Sequence, residues 1–159
     1  MIMKAASMTN STAAAMTPFV ILSQTGFFQD LTPEQLRKVA ALSRMQQCDE
    51  GHQIYNIGEP ATKAYVLVRG MVRLAIGLGE RNASAGDILR RGELFGWAAL
   101  TPHSSLRIAT ASCLTPCRFL VIDGPKLIRL MEDDHTLGYR MMTQLTRLIT
   151  STLTAFAAG

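Results

Sequence analysis

The sequence predicts a mainly β domain with flanking helices: a double-stranded β-helix, or jelly roll, with N-terminal helices and a long C-terminal dimerisation helix. Two patterns predict it. From Arg44 to Asp123 the chain breaks into short apolar–polar alternations punctuated by glycine. Many short strands at such spacing must wrap on one another to bury their faces. On either side the apolar spacing changes to three and four residues, which is the helical period. A chain of 159 residues with 48% hydrophobic and 18% charged residues can fill one core and is not disordered.

In chain order, residues 1–17 read as a flexible tail. They carry one lysine and no continuous apolar stretch, so they do not form a secretory signal. The domain then runs over 18–159. "TPFVILSQTGFF" predicts a short helix ending near Gly26. "LTPEQLRKVAAL" predicts a second, with Thr32 as cap, Pro33 at the first position, Gln35 completing a capping box, and Leu36, Val39 and Ala40 on one face. "HQIYNIGE", "KAYVLVRG", "MVRLAIG", "RIATASC" and "CRFLVID" predict strands of period two. Glycines 51, 58, 70, 77, 79, 86, 92 and 96 are assigned to turns, with Gly58 and Gly70 building the roll rather than touching a ligand.

Asp123 caps a third helix, "DGPKLIRLMEDD", whose Leu127, Ile128 and Met131 share a face. A longer helix follows, at about 134–156. Its Met142, Leu145, Ile149, Thr152 and Phe156 form a three-four seam, which Met141, Leu148 and Leu153 widen. The helix is therefore expected both to dock on the barrel and to pair with a second subunit as a homodimer.

Several function classes are excluded. The net charge of +4 and pI near 9.3 come with no dense cationic cluster, Arg90–Arg91 being only a doublet, so charge does not point to nucleic acid. No apolar run nears the roughly 20 residues that span a bilayer. No membrane association is expected, and the localisation is read as cytoplasmic. Cys48, Cys113 and Cys117 read as buried, inert thiols, since no neighbouring Cys/His cluster completes the C-x3-C pair. His52, His103 and His135 lack ligand spacing, so no metal is expected. With no nucleophile–base pair either, there are no catalytic residues and the chain is not read as an enzyme.

Three segments in order carry a family resemblance. "GHQIYNIGEPATKAYVLVRGMVRL" places Gly51, Ile54, Gly58, Glu59, Tyr65 and Gly70 in a G-x-x-I-x-x-x-G-E...Y-x-[IV]-x-x-G pattern. "RGELFGWAAL" is followed, eleven residues after Gly96, by Arg107 and Ala109. "FLVIDGPKLIRLM" makes the third. From about Phe27 to Phe156 the chain resembles the cyclic-nucleotide-binding domain of the catabolite activator (Crp/Fnr) family, here without a helix-turn-helix after the long helix. It also lacks the N-terminal cysteine cluster of the iron–sulfur members.

The resemblance implies a phosphate-binding cassette over residues 94–109. The backbone amides of Gly96, Trp97, Ala98 and Ala99 would face a cyclic phosphate and Arg107 would supply the charge. The other reading of Arg107 is a strand arginine with its head in solvent. Two positions depart from the family. Trp97 stands where a glutamate accepts the ribose 2′-hydroxyl, and Ile108 where a hydroxyl side chain holds the phosphate. Indole N–H only donates and isoleucine does neither. Losing two such bonds weakens binding by roughly 10²–10⁴-fold. Leu148 matches a helix arginine that pairs with the missing glutamate. Trp97 is read as core or pocket wall, with stacking on a planar ligand as the alternative. Thr152 matches a residue that contacts the purine, and is equally read as the polar position of the dimer seam.

The reading that follows is a dimeric regulatory sensor for a small-molecule effector. It would bind cAMP or cGMP weakly, or take another small anionic ligand. The competing readings are an interaction module whose pocket is plugged by Trp97 and Ile108, and the effector domain of a longer transcription regulator. The chain as given, ending at Gly159, does not itself bind DNA on this reading.

Overall fold

The computed structural model describes residues 16–78, 81–82, 88–103 and 105–158. The tail reading over 1–17 lies largely outside them, but Met16 packs on the core and Thr17 caps the first helix. That helix, α1 (Pro18–Ser23), starts at Pro18, with the Thr17 hydroxyl accepting from the Val20 amide. A 3₁₀ turn at Gly26–Phe28 leads to α2 (Pro33–Ala40). The predicted capping box is present there: the Gln35 amide donates to Thr32 Oγ1 at 3.2 Å, and the Thr32 amide to Gln35 Oε1 at 3.0 Å.

Nine strands follow among the described residues: β1 (Ser43–Cys48), β2 (Gln53–Tyr55), β3 (Lys63–Arg69), β4 (Val72–Leu78), β5 (Arg81–Asn82), β6 (Ile88–Leu89), β7 (Leu94–Phe95), β8 (Ala109–Cys113) and β9 (Cys117–Asp123). All pairings are antiparallel. One sheet has the order β1-β9-β3-β7; the other has the order β2-β8-β4-β5, with β6 also on β4. This is the expected jelly roll. The five strands read from sequence are all present; β1 and the two-residue strands were not among them.

The period-two reading is right in parity and incomplete in meaning. On β8 burial alternates residue by residue, as for a strand with one wet face. On β3 the five central residues are all buried. Ala64, Val66 and Val68 join an aliphatic cluster beneath the helices, while Tyr65 and Leu67 join an aromatic-rich cluster between the sheets. Alternation here separates two cores.

Among the turn glycines, Gly70 takes φ +96°, and a Cβ there would sit 2.5 Å from the Pro116 carbonyl oxygen, so only glycine lets these two turns pack. Gly77 lies inside β4 rather than in a turn, which corrects that expectation. Gly79 and Gly86 lie outside the described residues.

Asp123 caps α3 (Gly124–Asp133), its Oδ1 accepting from the Lys126 amide at 2.9 Å. The long helix, α4 (His135–Ala158), runs slightly beyond the expected range. Leu137, Met141 and Leu145 bury its inner face in the aliphatic cluster, with Met142, Leu148 and Ile149 packed at the margin. Docking on the barrel is thus observed. Leu153, expected to widen that face, is 61% exposed and packs on neither cluster. The Phe156 side chain lies outside what is described.

Candidate ligand-binding site

The site begins with Gly96, which follows β7 in the left-handed conformation at φ +72°. An added Cβ would meet Arg107 Nη1 and Tyr65 Cδ2, each at 3.0 Å, so glycine is needed for both its backbone angle and its lack of side chain. It opens a 3₁₀ turn, Trp97–Leu100, that lies between β3 and α3. The Ala99 amide donates back to the Gly96 carbonyl at 3.2 Å. That leaves the amides of Gly96, Trp97 and Ala98, at the start of the turn, as those helix geometry does not pair internally.

Arg107 lies beneath this turn. Its side chain turns inward, where it is 4% exposed, while the flanking Leu106 and Ile108 are 58% and 46% exposed. Nη1 donates to the Gly96 carbonyl at 2.9 Å and Nη2 to the Lys63 carbonyl at 2.6 Å. The guanidinium also stands over the Tyr55 ring, 4.1 Å from its centroid. Its Nε is buried without a hydrogen-bond partner. The solvent-exposed reading of Arg107 is therefore overturned.

No carboxylate forms an ion pair with Arg107 among the described residues. Burial holds its pKa below the ordinary arginine value, opposed by the phenols of Tyr55 and Tyr65 and by Glu59. The backbone fixes it as well. The Arg107 amide donates to the Glu59 carbonyl and the Gly58 amide to the Arg107 carbonyl, each at 2.8 Å. Gly58, read as a builder of the roll, thus also frames the cassette arginine.

Behind the guanidinium is an aromatic stack the sequence did not mark as part of the site. Tyr65 stacks on Phe95 at 5.1 Å and on Tyr55 at 5.9 Å, and Phe119 meets Tyr65 edge-on. Burial pushes the Tyr55 phenol up to about 12, against the opposing pull of Arg107. Tyr65 is raised for the same reason. Both rings therefore stay neutral at physiological pH and offer Arg107 their faces.

Of the residues expected to form the site, Gly96, Trp97, Ala98, Ala99 and Arg107 come together. Trp97 is half-buried against the aliphatic cluster, consistent with core or pocket wall. Ile108 is adjacent in sequence but faces outward, so it does not plug a core as one reading required. Thr152 lies elsewhere, in a groove of about 450 Å³ between α4 and the β6–β7 segment, with Leu148, Arg147 and Glu93. Neither Trp97 nor Arg107 lines that groove. The Thr152 hydroxyl donates to the Leu148 carbonyl at 2.8 Å, which leaves it only acceptor capacity toward a ligand.

The turn is fastened to the C-terminal helices. A Cβ at Gly124 would lie 2.6 Å from the Ala99 carbonyl, and one at Gly138 would lie 2.8 Å from the Met131 carbonyl. Contact thus runs from the cassette to α3 and on to α4. Cys113 and Cys117 are buried free thiols, as expected, and Cys48 is half-buried. Cys48 is the direct partner of Cys117 across β1 and β9, and both crowd Cys113, whose thiol burial pushes up to about 12. The C-x3-C pair gains a third thiol from a distant strand. No group of three or more His, Cys, Asp or Glu among the described residues could hold a metal.

Residues 45–134 match the model of the cyclic nucleotide-binding domain family. The chain belongs to that family. It is 30% identical over 118 residues to a cGMP-dependent protein kinase of Caenorhabditis briggsae, covering 73% of this chain and 16% of the kinase. It is 24% identical over 135 residues to a CRP-like cAMP-activated global transcriptional regulator of Mycobacterium tuberculosis, covering 83% of this chain and 58% of the regulator. The chain therefore spans about a sixth and a little over half of these two relatives. In structure it resembles the sensor domain of the transcriptional regulator DNR from Pseudomonas aeruginosa, with TM-score 0.65 and 23% identity over 81% of this chain and 91% of that one. The chain thus has the fold and family of a cyclic nucleotide-binding domain. No described helix is long and apolar enough to cross a membrane.

Proposed function

We propose that this domain senses a small anionic or planar ligand through Gly96–Ala99 and Arg107, and that it binds cAMP and cGMP weakly. One observation carries the reading: a buried guanidinium that, among the described residues, has no carboxylate partner and an Nε left without an acceptor. Burying an unpaired charge is expensive, and two carbonyls and an aromatic face offset that cost only in part. An anion under the turn would complete it. Trp97 and Ile108 support weak nucleotide binding, since the indole cannot accept a hydrogen bond from ribose and isoleucine cannot donate one to phosphate.

The contacts through Gly124 and Gly138 give a route by which occupancy would shift the packing of α4. On this reading the module is a cytoplasmic, non-enzymatic homodimer paired through the outer face of α4, where Tyr139 and Leu153 are 76% and 61% exposed. A role as the effector domain of a longer transcription regulator is compatible with the partial coverage of the Mycobacterium tuberculosis relative.

A second reading has its own support. Both Arg107 Nη atoms already donate to backbone carbonyls, as they would in a domain that uses the arginine only to pin Gly96 to β3 and serves as an interaction module. Isothermal titration with cAMP and cGMP, followed by native mass spectrometry of the purified protein, separates these. Weak or undetectable nucleotide heat together with a co-purifying small anion is the expected result. Micromolar nucleotide affinity would overturn the weak-binding reading, and an empty protein that binds no anion would favour the interaction module.

A further inference from the structure

At the far end of β3 from Lys63, about 20 Å along the strand, a cleft of about 870 Å³ opens beside the β3–β4 and β8–β9 turns. Gln46, Gln47, Asp49, His52, Arg69 and Arg118 line it. Arg118 on β9 is the direct partner of Gln47 on β1 and of Arg69 on β3, so two arginines lie side by side on the sheet.

A bulge creates this arrangement. Leu67 pairs with Phe119, yet Arg69 pairs with Arg118, so two residues of β3 advance against one of β9. Without the extra residue, Val68 would oppose Arg118 and Arg69 would oppose Cys117. The bulge turns Arg69 onto the face of Arg118, and bulges are a common means of re-aiming a side chain beside a site.

Like charges directly opposite on neighbouring strands destabilise a sheet. Among the described residues neither arginine side chain has an ion pair or hydrogen bond, Asp49 included, and Arg118 Nε is buried without a partner. The net charge of the lining is therefore positive, with donors presented by two planar forks and two glutamine amides. Arginine forks match the paired oxygens of a phosphate group.

We propose that the Arg69–Arg118 cleft is a second anion-binding site, taking the phosphate group of a small molecule, separate from the cassette. The proposal does not depend on the cassette binding anything. It is tested by titrating ¹⁵N-labelled protein with inorganic phosphate and with pyrophosphate at constant ionic strength. Saturable shifts are expected at the Arg69 end of β3, the Arg118 end of β9 and Gln46–Asp49. Arg69→Gln and Arg118→Gln should each weaken binding by about tenfold or more, while Lys126→Gln, which removes the same charge from the exposed start of α3, should leave it unchanged. Because Arg69 is exposed, its variant carries the test if Arg118→Gln fails to fold. Absence of saturable shifts, shifts confined to Gly96–Ala99, or equal weakening by Lys126→Gln would each overturn the site.

Discussion

The two faces of β9 do different work. Leu120 and Ile122 point toward the helices and join an aliphatic cluster built with α1, α2, α3 and α4. Phe119 and Val121 point between the sheets and join Tyr55, Tyr65 and Phe95. Aliphatic side chains are non-directional, so that face can hold helices in place while letting them shift. Stacked rings have preferred geometry, so the other face fixes the position of Arg107. Consecutive residues of one strand thus divide an aliphatic side that carries the helices from an aromatic side that holds Arg107.

Cutting each face in turn is the strongest way to break this comparison. Phe119→Ala should cost about 3–5 kcal/mol and Leu120→Ala about 2–5 kcal/mol, both readable by urea unfolding. Their secondary signatures should diverge. Phe119→Ala should flatten the tyrosine near-UV dichroism and leave amide exchange in α4 unchanged relative to global stability. Leu120→Ala should speed exchange in α4 and keep the tyrosine signal. If both variants change both signals alike, the two faces are one cooperative unit.

A chemical probe addresses the aromatic face alone. The Tyr55 phenol is raised to about 12 in the folded state, from an ordinary value of 10.0, chiefly by burial. The sign follows from linkage. Below pH 10 the phenol is protonated in both states and the stabilisation is fully present. Between 10 and 12 only the unfolded chain ionises, so stability falls by about 2–3 kcal/mol. Tyr55→Phe should remove most of that fall. Denaturant melts across this range, alongside the phenolate absorbance of the native protein, measure both quantities, and an unchanged slope in Tyr55→Phe would place the titration elsewhere.

What the sequence disclosed follows from how locally each feature is determined. The Thr32–Gln35 box and the Asp123 cap depend on residues three apart, and both were legible. Arg107 is a candidate through the family resemblance of its segment, while its burial and the outward course of Ile108 are seen only in the structure. What holds Arg107 was not legible. The Lys63 carbonyl lies 44 residues away, and the Tyr55 ring arrives through the pairing of β2 with β8. The approach of Cys48 to Cys117 depends likewise on the register of β1 against β9. The strand SRMQQC shows no apolar alternation, because its neighbour β9 supplies the core residues at that edge. Thr152 was matched to the cassette along one helix, but the helix carries it to a different groove from Arg107.

The mildest test acts on the aliphatic side. Thr32 caps α2, and its partner Gln35 reaches the junction of the last two helices. Arg140 Nη1 donates to Gln35 Oε1 at 3.0 Å, and Gln35 Nε2 donates to Asp134 Oδ2 at 3.4 Å. Thr32→Ala removes one hydrogen bond to a helix start and should cost about 1 kcal/mol. Because α2 packs only on the aliphatic side, the loss should leave the high-pH transition of Tyr55 unmoved while loosening amides near Asp134 and Arg140. A shift in that transition would show that the cap is felt across β9, and that the aromatic face depends on the helices it was taken to be independent of.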